Sequence, residues 1–203
     1  VAANLPGQPV SALTFEVDEG THSPVLLFSY PRAGQTGSLR PQVKLEFGSL
    51  YDQRPTGTHT IKSLTAEVFP ALFREPSCSV VALEAERTFW EKATVLHAEY
   101  HRPADKPLPV GMSRHYSDLA ALSRHAVGQR AVADLELLAR VRAHKQAYFR
   151  SSWAHYETAV PSSFHLVPSP ERRAQIAQDY RGRADMFMTT PPAFATIIAE
   201  LES

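Results

Sequence analysis

The chain has 203 residues, enough for one large or two small domains that bury a core without covalent or metal cross-links. Lysine plus arginine and aspartate plus glutamate number 21 each, so the formal charge is zero and there is no global basic footprint for nucleic acid. The single cysteine, Cys78, excludes an intrachain disulfide and fits a reducing, cytoplasmic compartment. No apolar run approaches the ~20 residues that span a bilayer, so we expect no membrane association.

Most of the first 83 residues favour β-strands. The predicted strands cover residues 10–18, 25–30, 42–48 and 80–83. In the first, Leu13, Phe15 and Val17 alternate with polar residues, which is typical of a half-buried strand. Turn-forming residues separate the first two strands, so these are predicted to pair as a hairpin.

From about residue 84 the apolar period becomes helical. The predicted helices cover residues 85–101, 113–125, 129–156, 169–188 and 191–202. Phe89, Ala93 and Leu96 form the predicted core stripe of the first helix, and Ser113 is the predicted N-cap of the second. We therefore predict an α+β chain, with a small, mostly antiparallel sheet over residues 1–83 followed by an α-helical bundle over residues 84–203.

The third predicted strand carries a lysine and a glutamate on one face. Val43, Leu45 and Phe47 are expected on the buried face, so Lys44 and Glu46 share the other, about 7 Å apart along the strand. A carboxylate beside a lysine on a rigid strand can hold a metal ion and a phosphate together. The competing interpretation is an ion pair that faces solvent.

Two helical segments carry charges beside their apolar stripes. Arg87 and Glu91 form an i,i+4 pair in the first helix, and Lys92 borders the stripe, where it could meet a phosphate. Arg114 and Asp118 repeat that spacing in the second helix, and Asp118 could orient a lysine or a hydroxyl nucleophile. Both patterns also occur on solvated helices, where such pairs only support the fold.

Three histidines raise the alternative of a zinc-dependent hydrolase. His97 and His101 are four residues apart, and His115 follows beyond a proline-rich loop. The acid lies two residues after His97, which departs from the His-Glu-x-x-His pattern, and the spacing fixes no third ligand. Ordinary surface or groove histidines are the competing interpretation.

Three separated motifs resemble the AbiEii/AbiGii-type nucleotidyltransferase toxin family of toxin–antitoxin and abortive-infection systems. The first is VKLEFG (43–48), similar to the family's VKLEIG strand. The second is ERTFWEK (86–92) with LHAEYHRP (96–103), similar to its ERTFWEK, LHAE and HRP motifs. The third is SRHYSDL (113–119), similar to its SRHYYDL helix. The resemblance spans about residues 10–202, and the order of the motifs makes it specific.

The resemblance implies Mg²⁺-dependent transfer of a nucleotide from a nucleoside triphosphate to an acceptor such as tRNA, and a cognate antitoxin as partner. It implies that Glu46, Lys92 and Asp118 are catalytic, with Glu46 near the metal ions, and that these three residues converge on one cleft. The residues that the resemblance assigns to nucleotide binding are Lys44, Arg87, Glu91 and Arg114. Among these, Arg87 and Glu91 would support Lys92.

One motif of that family has no counterpart in the sequence: a Gly-Ser pair followed about a dozen residues later by Asp-x-Asp. Glu16 and Asp18 have the spacing of the acids, but no Gly-Ser precedes them, and their alternation with apolar residues favours the outer face of a hairpin. We therefore expect the chain to be the later part of such an enzyme, with an incomplete two-ion site. The alternative function is a non-catalytic module that binds a nucleotide or an antitoxin.

Overall fold

The structure, a computed structural model, describes residues 13–17, 24–30, 40–48 and 52–202, without the side chains of Leu13 and Phe15. The chain forms two compact units, residues 1–51 and residues 52–203. The first unit contributes a sheet, and the second a pair of strands and the helices. The α+β class is thereby confirmed, whereas the predicted division at residues 83 and 84 stays a prediction.

The first unit contains an antiparallel sheet in the order β1-β2-β3. Its strands are β1 (Leu13–Val17), β2 (Pro24–Ser29) and β3 (Gln42–Glu46). Leu26 in the middle of β2 lies opposite Phe15 on one side and Leu45 on the other. This pairing confirms the predicted hairpin and the third strand. Glu16 is exposed, as expected for the outer face, and Asp18 lies outside the described residues.

The apolar face of β3 is exposed, which corrects the prediction that it is buried. Val43, Leu45 and Phe47 are 52%, 43% and 51% exposed. The alternation of apolar and polar residues indicates which side chains share a face, but burial also requires a second layer over that face. Among the described residues of the first unit no helix supplies such a layer, and Val25 alone reaches full burial there.

The second unit begins with an antiparallel pair of strands, β4 (Thr56–Lys62) and β5 (Ser77–Leu83), with the short helix α1 (Leu64–Val68) between them. The strand predicted over residues 80–83 corresponds to the C-terminal part of β5, whereas β4 and α1 were not predicted. The sequence of β4, TGTHTIK, has one large apolar residue, Ile61, so it shows no apolar alternation. Helix α1 is only five residues long and depends on its cap, in which Ser63 Oγ accepts a hydrogen bond from Ala66 N at 3.0 Å.

The rest of the second unit is a helical bundle around α2. The helices are α2 (Ala85–Tyr100), α3 (Ser113–Arg124), α4 (Ala126–Ala133), α5 (Leu135–Tyr148), α6 (Pro170–Arg181) and α7 (Phe194–Glu202). Helix α2 packs against α3, α4 and α5, and α3 also packs against α6 and α7. Their shared core includes Leu96, Leu119, Val141, Ile176 and Ile197. None of the described helices is long and apolar enough to cross a membrane.

The predicted long helix over residues 129–156 is wrong. It is two helices, because Asp134 ends α4 and caps α5, with its Oδ1 accepting a hydrogen bond from Leu137 N at 2.9 Å. An aspartate side chain that accepts hydrogen bonds from the first N–H groups of a following helix favours the start of a new helix over the continuation of the preceding one. Helix α5 ends at Tyr148, and α6 ends at Arg181, before the predicted end near Met188.

Candidate functional site

Lys92 and Asp118, which were predicted from separate motifs, meet across the groove between α2 and α3. Lys92 Nζ donates a hydrogen bond to Asp118 Oδ2 at 2.7 Å. Lys92 stays 21% exposed and Asp118 45%, so solvent reaches both charges. Their positions follow from the helical pattern, because the neighbouring Ala93 and Leu119 are buried and hold the two backbones together. A charged ligand in this groove can therefore contact both side chains.

His115 is the second partner of Lys92. Its Nδ1 lies 3.1 Å from Lys92 Nζ. Burial, together with the nearby charges of Lys92 and Arg114, lowers the pKa of His115 to about 4, so the imidazole is neutral near pH 7 and can accept a hydrogen bond from the ammonium at Nδ1. Since an ammonium group carries three donors, one remains for a ligand. The sequence predicted no contact between His115 and Lys92, although the i,i+3 spacing of His115 and Asp118 puts both on one face of α3.

Lys145 adds a second lysine on this side of the bundle. It lies on α5, half-buried, with Nζ 4.5 Å from the centre of the Phe149 ring. Burial lowers the pKa of Lys145, and the carboxylate of Glu91 opposes that shift. Its charge also contributes to the lowered pKa of His115, so Lys145 belongs to the same electrostatic environment as Lys92.

Arg87 and Glu91 belong to a buried ion-pair network. Arg87 is fully buried, and its guanidinium donates to Asp52 Oδ2 at 2.8 Å, to the Arg54 carbonyl at 2.6 Å and to Glu91 Oε1 at 3.0 Å. Asp52 also accepts two hydrogen bonds from Arg140, at 2.7 and 2.8 Å. The bonds from Arg140, followed by those from Arg87, lower the pKa of Asp52 to about 2 against the opposing effect of burial.

This network ties the segment before β4 to helices α2 and α5. Because its guanidinium is fully buried and ion-paired with Asp52 and Glu91, Arg87 is better placed to support Glu91 and the first turns of α2 than to contact a ligand. Its assignment to nucleotide binding stays a prediction, as does that of Glu91. Asp52 and Arg140 could not be predicted, since Asp52 lies outside any periodic segment and a contact between residues 88 positions apart leaves no local pattern.

Lys44 and Glu46 share a face of β3, as predicted, and form an ion pair of 2.6 Å. They lie in the first unit, whereas Lys92 and Asp118 lie in the second. The convergence of Glu46 with those two residues, and its role at the metal, stay predictions. Within the described residues no group of three histidine, cysteine, aspartate or glutamate side chains is arranged to hold a metal ion. Glu46 alone does not complete a two-ion site, which needs about three carboxylates.

A comparison with models of protein families shows which family the chain belongs to. A family model described as nucleotidyl transferase AbiEii toxin, type IV TA system, matches residues 3–200. The chain belongs to this family. The resemblance inferred from the three motifs is thereby confirmed, and the AbiEii family is one of toxin–antitoxin systems. Comparisons with curated proteins and with solved structures found no match.

The histidines of this AbiEii-family chain do not form the suggested zinc site. His97 is fully buried, and both ring nitrogens have protein partners: Nδ1 accepts from His165 N at 3.2 Å, and Nε2 lies 3.0 Å from the His155 carbonyl. That arrangement assigns the proton to Nε2 and leaves neither nitrogen for a metal. His97 therefore anchors the segment after α5 to α2, and His101 packs edge-on against its ring.

The buried His97 predicts a loss of stability in acid. Burial lowers the pKa of His97 from 6.5 to about 4, so between these pH values the unfolded chain binds a proton that the folded chain does not. The free energy of unfolding should therefore fall as the pH drops from 6.5 to 4, with His97 contributing up to about 1.4 kcal/mol per pH unit.

Urea unfolding at several pH values checks this expectation. His97→Gln should flatten the dependence between pH 6.5 and 4 more than the control His59→Gln, which replaces an exposed histidine of β4. Equal slopes for the wild-type chain and His97→Gln would show that His97 is protonated in the folded state.

Proposed function

We propose that this AbiEii-family chain transfers a nucleotide from a nucleoside triphosphate to an RNA acceptor such as tRNA, in a Mg²⁺-dependent reaction. The observation that carries the proposal is the 2.7 Å pair of Lys92 and Asp118, since both residues come from motifs that resemble the family. In the reaction, the acceptor hydroxyl oxygen forms a bond to the α-phosphorus, the bond from that phosphorus to pyrophosphate breaks, and the hydroxyl proton passes to solvent water.

Lys92 and Asp118 suit complementary parts of this reaction. The free donor of Lys92 can bond a triphosphate oxygen and offset the negative charge that develops on the leaving group. Asp118 Oδ2 holds the lysine in place, and its Oδ1, without a hydrogen-bond partner among the described residues, can accept a hydrogen bond from the acceptor hydroxyl. Arg114 lies exposed one turn before Asp118 on α3, where it can contact a phosphate of either substrate.

Magnesium is part of the proposal, with Glu46 as one ligand. Magnesium would offset charge on the triphosphate when bound. The exposed carboxylate of Glu46 suits this hard cation, and Lys44 beside it suits a phosphate oxygen. Lys44 also compensates the charge of Glu46 when no cation is bound.

Transfer of labelled nucleotide tests the proposal. The full-length protein is incubated with Mg²⁺, bulk tRNA and each of the four α-³²P nucleoside triphosphates in turn. Label should enter tRNA with at least one of them, and both EDTA and Asp118→Asn should abolish the transfer. The proposal fails if no triphosphate labels RNA, or if Asp118→Asn transfers at the wild-type rate.

His115 is expected to act as a positioning residue for Lys92. His115→Ala removes one acceptor from the ammonium and should lower kcat by about 10- to 10²-fold with a smaller change in KM, because small errors in the placement of a catalytic group are costly. His115→Gln keeps a neutral acceptor and should retain most of the activity.

Steady-state rates of nucleotide transfer from pH 5 to pH 9 separate this role from a purely structural one. Neither the wild-type protein nor His115→Gln should show an inflection near pH 6.5, since the pKa of His115 is lowered to about 4. Equal losses in His115→Ala and His115→Gln at matched melting temperatures would contradict the positioning role.

A cognate antitoxin is the partner that the type IV toxin–antitoxin family suggests. The second candidate function is therefore a non-catalytic module that binds an antitoxin, and the exposed apolar face of β3 favours it. Mg²⁺-nucleotide binding distinguishes the two functions, because a module of this kind needs no triphosphate site at Lys92.

A further inference from the structure

A cavity of about 100 Å³ lies beside Asp118, between the start of α3 and the segment that follows α6. Arg114 and Asp118 line it from α3, and Arg183 and Phe187 line it from the other side. Its volume is that of about three water molecules, which is room for a phosphate group but not for a nucleotide. Lys92 bonds Asp118 Oδ2 from α2 and is not part of the cavity wall.

The start of α3 is organised by Asp179 of α6. Asp179 Oδ1 accepts a hydrogen bond from Gly111 N at 2.9 Å, and Oδ2 accepts from Ser113 N at 3.0 Å and Ser113 Oγ at 2.6 Å. These bonds correct the prediction that Ser113 is the N-cap of this helix, since Met112 occupies that position and Ser113 is the first helical residue. The carboxylate of Asp179 thus satisfies three donors of the loop and helix start.

The Arg183 side chain packs against Gly111, just before α3, and not all of its donors form hydrogen bonds. Gly111 has a φ of +86°, and a Cβ there would lie 3.0 Å from Arg183 Nη2 and 3.1 Å from Cζ, so only glycine allows this approach. Arg183 Nε is buried without a hydrogen-bond partner, 3.5 Å from Asp179 Oδ1. Nη1 has only a weak contact with the sulfur of Met186 at 3.9 Å. The Arg183 side chain is 28% exposed, so an anionic ligand that enters the cavity can reach the donors that the protein leaves unused.

The rest of the cavity suits a phosphate of a nucleic acid strand. Within the described residues the guanidinium of Arg114 has no carboxylate partner, so two arginines offer donors to the same small space. Planar guanidinium groups bond phosphate oxygens in pairs. Phe187 closes one side, and Met186 and Met188 beside it are exposed, which provides an apolar surface for an unstacked base.

We propose that this cavity binds a backbone phosphate of the RNA acceptor strand, with Arg183 and Arg114 as its donors. The assignment rests on the proposed function in one respect: the triphosphate is placed on the Lys92 side of Asp118, so the cavity on the other side is left for the acceptor. Asp118 then stands between the two substrates, where the acceptor hydroxyl must meet the α-phosphorus.

RNA binding without any triphosphate tests the proposal. The dissociation constant of a fluorescently labelled single-stranded oligoribonucleotide is measured by anisotropy at several salt concentrations. Arg183→Gln should weaken binding about tenfold and reduce the slope of log K against log salt by about 0.7, the value for one lost phosphate contact on a single strand. Arg114→Gln should act in the same direction, and it remains informative if Arg183→Gln does not fold.

Arg181→Gln is the matched control, because Arg181 is exposed at the end of α6, two residues before Arg183, and does not line the cavity. It should leave RNA binding within about twofold of the wild-type value. Equal effects of Arg181→Gln and Arg183→Gln would show that RNA binds through nonspecific charge attraction and not in the cavity, and would overturn the proposal. Calorimetry with Mg²⁺-nucleotides separates the phosphate sources: weaker triphosphate binding with unchanged RNA binding in Arg183→Gln would place the triphosphate in the cavity instead.

These outcomes also separate the cavity from the proposed function. If RNA binding depends on Arg183 but labelled nucleotide is never transferred, the cavity stands as an RNA site and the transferase proposal falls. If transfer occurs while RNA binding is indifferent to both Arg183 and Arg114, the cavity proposal alone falls.

Discussion

Replacing Lys92 by alanine is expected to reduce the rate of nucleotide transfer by about 10²- to 10³-fold, the loss found when a preorganised donor to a developing charge is removed. The structure gives the reason. Lys92 is held by Asp118 Oδ2 and His115 Nδ1, so its charge is already positioned before a ligand arrives. Alanine removes that charge and leaves the Asp118 carboxylate without its counter-ion, which disfavours a triphosphate in the same groove.

Two further variants make the Lys92 experiment specific. Lys106→Ala removes an exposed lysine from the loop after α2 and should leave the transfer rate unchanged. Lys92→Arg keeps the charge but not the compact ammonium, so we expect partial activity. The same rate in Lys92→Ala and Lys106→Ala, with both proteins folded, would remove Lys92 from the reaction.

Replacing Arg87 by alanine is expected to have the largest effect on stability. Arg87 is fully buried and bonds Asp52, Glu91 and the Arg54 carbonyl, so its removal leaves polar groups without partners and opens a cavity. Breaking a buried pair from one side costs about 3–5 kcal/mol of unfolding free energy. For a chain of this size that corresponds to a fall in melting temperature of about 6–20 °C.

Arg140→Ala is the matched control for the network. Arg140 bonds the same Asp52 but from an exposed position, so its loss should lower the melting temperature far less than the loss of Arg87. Thermal unfolding of both variants and of the wild-type chain measures the difference. A melting temperature for Arg87→Ala that equals that of Arg140→Ala would show that the buried network does not hold β4 to the bundle.

The spacing of apolar residues along the sequence predicted those helices and strands whose formation depends mainly on neighbouring residues. Helix α2 was predicted to within a residue because Phe89, Ala93 and Leu96 recur at helical spacing and all three are buried. The break at Asp134 was missed because capping competes with an apolar pattern that continues past it. The exposure of Leu45 was not predicted, because the alternation of apolar and polar residues shows only which side chains share a face of the strand. Whether that face is buried depends on a second layer packed over it.

The candidate site also contains residues that could be predicted from the sequence and residues that could not. Lys92 and Asp118 could be predicted because each lies beside a buried stripe on its own helix, and two helices that pack through those stripes bring them together. Asp179 could not, because its partners Gly111 and Ser113 lie 68 and 66 residues away in sequence. One signal was available: an aspartate in the last turn of a helix opposes the helix dipole, which indicates a tertiary partner for Asp179.

The central claim is that the Lys92–Asp118 pair binds the triphosphate of a nucleotide. Calorimetric titration of Mg²⁺-nucleotides into the wild-type protein, Lys92→Ala and Lys106→Ala tests it most directly, because it measures binding without requiring a competent acceptor. We predict saturable binding to the wild-type protein and Lys106→Ala, and binding to Lys92→Ala that is at least about tenfold weaker, as expected for one lost charge-assisted hydrogen bond. Equal affinity in all three proteins, or no binding to any of them, would contradict the account.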